Sequence, residues 1–548
     1  MQCSIRLGRS SVRRKMREYS LYFLITAIFT LSREVDAARI LGLFPHTGKS
    51  HQMAFEPLLH KLAERGHHVT VASFFPSKNP PANYTDISFE GLTELGLETY
   101  DLSLYEDPNK IIKMIPPLDR LLEQMFGFAP LAEMALHNCR KLVDFKPLAD
   151  VLKKEYDVLL IENFNSDCML GMVNIYGHDA PIVGLSSTLP MPWSLERVGV
   201  ADNPSYTPIP STTFLDKMNF YERLENTFMK LFFKYWFRYE IQLKEQEIIE
   251  KHFGRRIPDL DDLARNTSLL ILNCFRSWNG NRPLSSAIIE AGGMHLDHTR
   301  KALPHYMERY INESEHGVVL LSLGSLIKTA TLPKYREQLI INALSTLKQR
   351  VIWKYEDSDE EGTLIGNILR VKWLPQYELL QHKNVLAFVT HGGMLGMTEA
   401  MSAGKPMVVV PFFGDQPNNG AHAAKLGIAK VVTYEHLTEK SLTDALQSVL
   451  SAEMRLNARR ASQIWKDRQT SPMDTAVYAI ERVIRWGAQD PLHLAARDLA
   501  FYQYYLLDVF AVAIISILVL LFLISSIFML IVRSIIFILH REGKKKVN

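Results

Sequence analysis

A glycine-rich turn between a predicted strand and a predicted helix is the strongest chemical signal in the sequence. The apolar run Phe388–Thr390 leads into His391, Gly392 and Gly393, and a helical segment follows. Glycines let the backbone approach a diphosphate closely, and the N–H groups and dipole at the start of the helix favour its negative charge. His391 is placed to donate a hydrogen bond to a phosphate oxygen. The turn therefore predicts a diphosphate site.

Polar residues on either side of this turn could hold the rest of a nucleotide sugar. Glu399 lies in the following helix and suits a ribose diol, because a carboxylate accepts two hydroxyl hydrogen bonds. Asp415 and Gln416 come just after the next predicted strand and offer acceptors and donors to sugar hydroxyls. Upstream, Trp373 supplies a flat ring for stacking a base, and Gln376 supplies an amide for its polar edge. Each residue alone also fits an ordinary structural role, but the ordered set favours a nucleotide-sugar site.

The N-terminal half offers a candidate general base. His51 follows the first predicted strand, and an imidazole there could take the proton from a hydroxyl that attacks a sugar. Glu162 follows the predicted strand Asp157–Ile161 and could hold the tautomer of the imidazole and stabilise its protonated form. The alternatives are a structural histidine and a surface glutamate at a strand end.

Two Asp-x-Asp strings resemble metal-binding motifs. Asp259-Leu260-Asp261 and Asp357-Ser358-Asp359 lie in polar, loop-like segments, and the second continues into Glu360-Glu361. Solvated charge explains both strings better than manganese binding does. We expect no metal and no cofactor.

The elements that must position these residues alternate between strands and helices. Arg39–Phe44, Gln52–Arg65 and Val69–Phe74 read as strand, helix and strand. The same alternation of strand and helix recurs around the predicted strands Asp157–Ile161, Val318–Ser322, Val351–Trp353 and Val385–Thr390. This alternation predicts an α/β fold with parallel sheets covered on both faces.

The length of 548 residues is too great for one ordinary core, so two facing α/β domains are expected. The polar, irregular stretch Trp278–Pro304 places their boundary, with an N-terminal acceptor-binding domain at 38–285 and a C-terminal donor-binding domain at 286–490. Ligands in open parallel sheets bind at the carboxyl ends of the strands, so both domains should contribute to one site. The net charge of +3 is small and argues against a nucleic-acid partner.

The two ends of the chain indicate a membrane protein of the secretory pathway. Residues 1–37 combine basic residues, the apolar run Leu21–Leu31 and small residues before a cleavage point, as in a signal peptide; an uncleaved anchor is the alternative. Residues 509–532 carry no charge and predict a transmembrane helix after a juxtamembrane segment at 491–508. The basic tail, 533–548, should be cytosolic, which makes the chain a single-pass type I protein with lumenal domains.

Three shorter sequence features also bear on a location in the secretory pathway. The last four residues, Lys545 to Asn548, match a dilysine signal for return to the endoplasmic reticulum. Three sequons, at Asn83, Asn266 and Asn312, could be glycosylated. Beyond Cys3 in the signal peptide, the remaining cysteines are too few and scattered to predict a disulfide framework or a zinc site; they are Cys139, Cys168 and Cys274.

The stretch Phe220–Glu247 is helical in spacing and crowded with aromatic residues. It could touch a membrane or line an acceptor pocket. Core packing is the favoured interpretation, because aromatic stripes at helical spacing are usually buried.

Taken together and in this order, these residues resemble the signature of the UDP-glycosyltransferase family, whose animal members include UDP-glucuronosyltransferases and UDP-glucosyltransferases. The resemblance extends from about Arg39 to the C-terminus and includes Ser322-Leu323-Gly324-Ser325, the Trp-x-Pro-Gln motif and Gln503-Tyr504. It implies the two-Rossmann GT-B glycosyltransferase fold and self-association in the membrane. It also implies that a UDP-sugar donates glucuronic acid or glucose to a small lipophilic hydroxyl-bearing acceptor.

The resemblance also implies a role for each site residue. It makes His51 the catalytic base, and many members have Asp where this chain has Glu162, which is one methylene longer. The UDP-sugar contacts that it implies are uracil with Trp373 and Gln376, diphosphate with Ser325 and His391, ribose with Glu399, and sugar with Asp415 and Gln416. Gly393 and Gly396 add backbone contacts, although Met394-Leu395-Gly396 departs from the family's Ser, Asn or Gly pattern.

Two other functions stay open at this point. The acceptor could be a membrane lipid of the sphingolipid type, or the chain could bind UDP-sugar in the lumen without turnover. The choice between UDP-glucose and UDP-glucuronic acid depends on a cation near the sixth carbon of the sugar, which the sequence does not identify.

Overall fold

Two seven-stranded β-sheets with helices packed against them form most of the fold. The computed structural model describes residues 37–96, 99–103, 116–296, 301–487 and 493–545. The chain divides into two units, Met1–Leu492 and His493–Asn548, and both sheets belong to the first unit. The predicted α/β class with two Rossmann-like halves is confirmed.

The strands are β1 (Arg39–Phe44), β2 (His68–Ser73), β3 (Tyr84–Ser88), β4 (Tyr100–Asp101), β5 (Val158–Glu162), β6 (Ile182–Ser186), β7 (Thr267–Leu272), β8 (Ile288–Glu290), β9 (Val318–Ser322), β10 (Ile327–Lys328), β11 (Arg350–Lys354), β12 (Thr363–Ile365), β13 (Ile368–Val371), β14 (Val385–Thr390), β15 (Met407–Val409) and β16 (Ala429–Val431). The first sheet has the order β3-β2-β1-β5-β6-β7-β8 and is parallel. The second has the order β12-β13-β11-β9-β14-β15-β16 and is parallel except at β12. A short parallel pair joins β4 to β10.

The α-helices are α1 (Lys49–Glu64), α2 (Pro116–Leu142), α3 (Lys146–Leu152), α4 (Cys168–Ile175), α5 (Phe220–Phe237), α6 (Leu243–Phe253), α7 (Leu260–Arg265), α8 (Arg276–Asn279), α9 (His305–Asn312), α10 (Lys334–Ser345), α11 (Gln376–Gln381), α12 (Met394–Ala403), α13 (Gln416–Lys425), α14 (Glu439–Val449), α15 (Ala452–Lys466), α16 (Pro472–Trp486), α17 (Phe501–Tyr504) and α18 (Leu507–Lys545). A π-helical turn, Arg238–Gln242, joins α5 to α6. Most helices therefore lie between consecutive strands, as right-handed crossovers of parallel sheets require.

Alternate residues of the central strands enter different cores. In β1, Ile40 belongs to a buried cluster with helix α16, whereas Leu41 and Leu43 belong to a cluster on the opposite face with α4. In β5 the alternation continues, with Leu160 in the first cluster and Leu159 in the second. A strand whose side chains are buried on both faces reads as a continuous apolar run, which is why these strands were predictable.

The boundary between the two halves differs from the predicted one at residues 285 and 286. Strand β8, Ile288–Glu290, pairs with β7 and completes the first sheet. Helix α16 was assigned to the C-terminal domain, yet Met473, Val477 and Ile480 pack in the core of the first sheet. The chain thus returns to its N-terminal half after the second sheet, because the apolar face of α16 is buried there.

A disulfide joins Cys139 to Cys168, with a Cα–Cα distance of 5.8 Å. This bond is not predictable from the sequence pattern, because the two cysteines are 29 residues apart. The end of α2 and the start of α4 meet in the same buried core, which brings the cysteines together. The third described cysteine, Cys274, is buried and free.

The C-terminal unit contains α18, and Leu507–Arg541 within it is long and apolar enough to cross a membrane. The helix is longer than the predicted span 509–532 and continues through much of the predicted tail 533–548. Residues 1–36 of the predicted signal peptide and residues 546–548 of the predicted dilysine signal lie outside the described residues. The sequon asparagines Asn83, Asn266 and Asn312 are exposed.

Candidate active site

A cleft between the two sheets collects the predicted site residues. Its lining comes from the loops that follow β1, β5 and β6 in the first sheet and β9, β13, β14 and β15 in the second. Because parallel strands end at the same edge of their sheet, these loops converge. His51 and all of the predicted donor contacts line the cleft, and Glu162 lies behind His51; the donor contacts are Ser325, Trp373, Gln376, His391, Gly393, Gly396, Glu399, Asp415 and Gln416.

The candidate base and its carboxylate are in contact. His51 lies in the first turn of α1, and its Nδ1 is 2.5 Å from Oε1 of Glu162 at the end of β5. Ser187 Oγ, just after β6, is 3.0 Å from the same nitrogen. Glu162 is almost fully buried, and its Oε2 has no hydrogen-bond partner among the residues that the structure describes. With Nδ1 engaged, Nε2 of His51 is the nitrogen left for an acceptor hydroxyl.

Two aromatic rings fix the orientation of His51. The His46 ring is stacked on it, with centroids 4.0 Å apart and planes at 13°, and the Phe164 ring meets its edge at 4.5 Å. His46 is itself held because its Nδ1 accepts a hydrogen bond from the Gly48 N–H at 2.8 Å. An imidazole packed in this way keeps one orientation, as a catalytic base requires.

Burial disfavours the charged forms of His46, His51 and Glu162. It lowers the pKa of His51 to about 3 and, together with His51, the pKa of His46 to about 3. It raises the pKa of Glu162 to about 7, an effect that His46 opposes. His51 is therefore neutral near pH 7 and able to accept a proton, while the charge of Glu162 changes near that pH.

His46, His51 and Glu162 bring ligand atoms within 4.8 Å of one another, a grouping that could be mistaken for a metal site. A metal ion binds imidazole in the plane of the ring, along the nitrogen lone pair. The planes of the two stacked rings are nearly parallel and their centroids are 4.0 Å apart, so one ion cannot lie in both planes. The geometry favours a catalytic dyad with a packed neighbour.

The glycine-rich turn forms the end of the cleft that is predicted to bind the diphosphate. Helix α12 begins at Met394, and its N-cap, Gly393, has no side chain to occupy the first N–H groups. A Cβ on Gly393 would collide with the ring of His391, which folds over it. His391 Nδ1 is buried and has no hydrogen-bond partner within the described ranges. Burial and Lys354 lower the pKa of His391 to about 4, so the ring is neutral and can donate one N–H to an anion.

Trp373 and Gln376 form the predicted base site. Trp373 is 48% exposed, so part of its ring surface is accessible for stacking. Gln376 starts α11 and donates from Nε2 to Glu399 Oε2 at 2.6 Å. Burial raises the pKa of Glu399 to about 7. The predicted uracil and ribose contacts are thus direct neighbours, and Gly396 on α12 allows the Gln376 amide to lie against that helix.

Asp415 and Gln416 begin α13 at the predicted sugar position. The Gln416 Oε1 accepts from the N–H groups of Phe412 and Phe413, so its Nε2 is the end directed to other partners. Asp415 Oδ2 accepts from Asn419 Nδ2 at 2.9 Å, and burial raises the pKa of Asp415 to about 6. Both side chains are held rigidly, which suits recognition of sugar hydroxyls.

Some residues of the site were missed from the sequence. Lys49 places its Nζ 4.1 Å from the centroid of the Trp373 ring, so the two halves touch across the cleft. Ser187 could have been found, because it follows a strand that neighbours β5 and must reach the same sheet edge. The stacking of His46 on His51 had no signal, since ring packing depends on the path of a loop.

Comparisons with known proteins agree with this geometry. Residues 41–544 match the model of the family described as UDP-glucoronosyl and UDP-glucosyl transferase. The chain belongs to this family. Among its relatives, the UDP-glucosyltransferase 2 of Dactylopius coccus is 34% identical over 489 residues, covering 89% of this chain and 92% of that protein. The UDP-glucuronosyltransferase 2B19 of Macaca fascicularis is 32% identical over 474 residues, covering 84% and 87%.

A solved glycosyltransferase shares the fold of this UDP-glycosyltransferase. The crystal structure of the glycotransferase of kitacinnamycin aligns with a TM-score of 0.51 at 18% identity and covers 81% of this chain and 98% of that one. The GT-B fold predicted from the motifs is confirmed. As a member of the family, the chain is an enzyme that transfers a sugar from a UDP-sugar.

Proposed function

We propose that this enzyme transfers glucose or glucuronic acid from its UDP-sugar to a hydroxyl of a small lipophilic acceptor, with inversion at the anomeric carbon. The observation that carries the proposal is the partly buried hydrogen bond between His51 Nδ1 and Glu162 Oε1, 2.5 Å long, beside a cleft that His51 shares with the predicted donor residues. A non-catalytic sugar-binding protein has no need of a neutral, oriented imidazole at that place.

The proposed reaction uses this arrangement. The acceptor oxygen attacks the anomeric carbon while its proton passes to Nε2 of His51, and Glu162 stabilises the imidazolium that forms. The bond from the anomeric carbon to the β-phosphate oxygen breaks, and UDP departs against the N-terminus of α12 and His391. Attack from the opposite face converts the α linkage to a β linkage. Every step uses side chains of this chain, so we propose no metal and no cofactor.

Apolar side chains support a lipophilic acceptor. The first sheet's side of the cleft is lined by Phe128, Phe164, Met191, Met229 and Phe233. Apolar walls with few polar groups bind by shape and by burial of apolar area. A sphingolipid-type acceptor would suit the same walls, and it is the alternative that the experiment below separates.

We propose the endoplasmic reticulum membrane as the location, with both sheets in the lumen and α18 as the single span. Helix α18 has the length and apolarity for this role. The Cys139–Cys168 disulfide is typical of an oxidising compartment, and the three sequon asparagines are exposed.

The test is UDP release by membranes that contain the wild type or His51→Ala. Each is offered UDP-glucose or UDP-glucuronic acid with a panel of phenols and sterols, and separately with a ceramide. We expect release from one donor with the small acceptors and its loss in the variant. Release with the ceramide alone would favour the lipid acceptor, and UDP binding without release from any mixture would favour the non-catalytic reading.

A further inference from the structure

Helix α5 has two apolar faces, and one of them is exposed. Met229, Phe233 and Phe237 are buried in a cluster with Phe128 and Trp193. On the other face, five large apolar side chains repeat at intervals of three and four residues and are between 44% and 77% exposed. We call this face the α5 ridge; it consists of Tyr221, Leu224, Phe228, Leu231 and Tyr235.

The α5 ridge carries no charge along its length. At 100° per residue, its members occupy one narrow arc of the helix, and the charged residues of α5 fall outside that arc. Lys230 and Lys234 are engaged elsewhere, with Asp202 and Glu196 respectively. A solvated helix normally presents charged side chains on its outer face. A continuous exposed apolar stripe marks a surface that another apolar phase covers.

We propose that the α5 ridge lies in the interface of the lipid bilayer that α18 spans. Leu507–Arg541 can cross a membrane, and a chain anchored by it is always beside a bilayer. The ridge combines tyrosine, phenylalanine and leucine, which is the composition of helices that lie in the headgroup region. The bilayer that α18 crosses is therefore the apolar phase that we propose to cover the α5 ridge.

The inner face of α5 connects this surface to the cleft. Met229 and Phe233 line the cleft, and Phe228 and Leu231 stand on the ridge of the same helix. A lipophilic acceptor dissolved in the bilayer then meets the protein one helix away from the apolar wall of the cleft. This part of the inference rests on the proposed lipophilic acceptor, whereas contact of the ridge with lipid does not.

The contact is tested on the full chain in lipid vesicles with a nitroxide at Phe228→Cys and, as control, at Leu456→Cys. Leu456 is a similarly exposed leucine, 62% accessible, on α15. Background labelling of the described cysteines is small, because Cys274 is buried and Cys139 is bonded to Cys168. We expect the label at 228 to collide more often with oxygen than with a water-soluble nickel chelate, and the label at 456 to show the reverse.

Two results would overturn the inference. Nickel accessibility at 228 equal to that at 456 would mean that the ridge faces water. Spin–spin broadening at 228 that disappears when labelled chains are diluted with unlabelled ones would mean that a second copy covers the ridge, an occupant that its heptad-like spacing also permits.

A kinetic experiment tests the route of the acceptor. We expect Phe228→Glu to raise the KM for an acceptor that partitions into vesicles by about tenfold, with kcat and the KM for UDP-sugar unchanged, while Leu456→Glu changes none of them. Equal effects of both variants, or no effect of Phe228→Glu, would refute acceptor entry from the bilayer. If no acceptor is ever glycosylated, the proposed function fails, and the nitroxide measurement still decides the contact.

Discussion

Replacing Glu162 by glutamine removes one charge from the proposed catalytic pair, His51 and Glu162, and keeps the size of the side chain. Glu162 Oε1 is 2.5 Å from His51 Nδ1, and the side chains of Glu162 and His51 are 3% and 14% exposed. When His51 takes the proton of the acceptor, a positive ring faces this carboxylate. At an effective dielectric constant near 20, two charges about 4 Å apart attract by about 4 kcal/mol. Loss of that attraction corresponds to about a thousandfold lower kcat.

The pH profile adds a second observable. Only charged Glu162 accepts a hydrogen bond from Nδ1–H and leaves Nε2 free to take a proton; protonated Glu162 favours the opposite tautomer. Because burial raises the pKa of Glu162 to about 7, kcat should be full above that pH and fall as the pH drops through it. An amide in place of the carboxyl group cannot titrate, so this acidic limb should vanish in Glu162→Gln.

The assay is sugar transfer under saturating donor and acceptor between pH 5.5 and 8.5, with UDP affinity measured separately by calorimetry. Glu162→Asp is the matched variant that keeps the carboxylate, and Glu155→Gln is a surface control, because the Glu155 side chain is 88% exposed. UDP affinity should be unchanged in all of them. The reasoning is refuted if Glu162→Gln keeps kcat within fivefold of the wild type, or if it shows the same acidic limb.

Three further outcomes are expected. Trp373→Ala should weaken UDP binding by about 1 to 3 kcal/mol, which is the range for a base stacked on an aromatic ring. Trp486 is also half-exposed, and Trp486→Ala should leave UDP binding unchanged. Calorimetry measures the UDP affinity of both variants. Gly393→Ala should weaken UDP binding at unchanged stability, because its Cβ displaces His391; unchanged affinity would contradict that placement. Replacing Cys139 and Cys168 together by alanine should lower the free energy of unfolding by about 3 to 4 kcal/mol in denaturant titrations.

Strands buried on both faces were the most predictable part of the fold. Val318–Ser322 and Val385–Thr390 are uninterrupted apolar runs, and they match β9 and β14 residue for residue. Strand β3, Tyr84–Ser88, is only partly buried and lacks such a run. Strand β8 has three residues in an irregular stretch, and only its pairing with β7 makes it a strand.

The candidate site also has a part that is predictable from the sequence and a part that is not. The donor residues follow strands of one sheet in sequence order, so their convergence could be inferred from topology alone. The dyad depends on two loops of the first sheet whose spacing the sequence does not contain, and it was reached for His51 and Glu162 through the resemblance. The stack of His46 on His51 and the contact of Lys49 with Trp373 depend on tertiary packing.

The aromatic helix shows how a pattern can have two explanations at once. Core packing was the favoured interpretation of Phe220–Glu247, and it holds for Phe233 and Phe237. Phe228, Tyr235 and Tyr239 are exposed instead. A hydrophobic count along a helix does not distinguish a face that meets protein from one that meets another apolar phase, because both have the same period.

Helix α16 limits how members of this family can be recombined. It follows the second sheet in the chain but seals the first, where Glu481 holds Arg65 at 2.6 Å and Met473 and Ile480 fill the core. A hybrid enzyme cut once, near residue 290, would pair the first half of one parent with the sealing helix of the other. A working exchange therefore needs two cuts, so that the helix travels with the half that it closes.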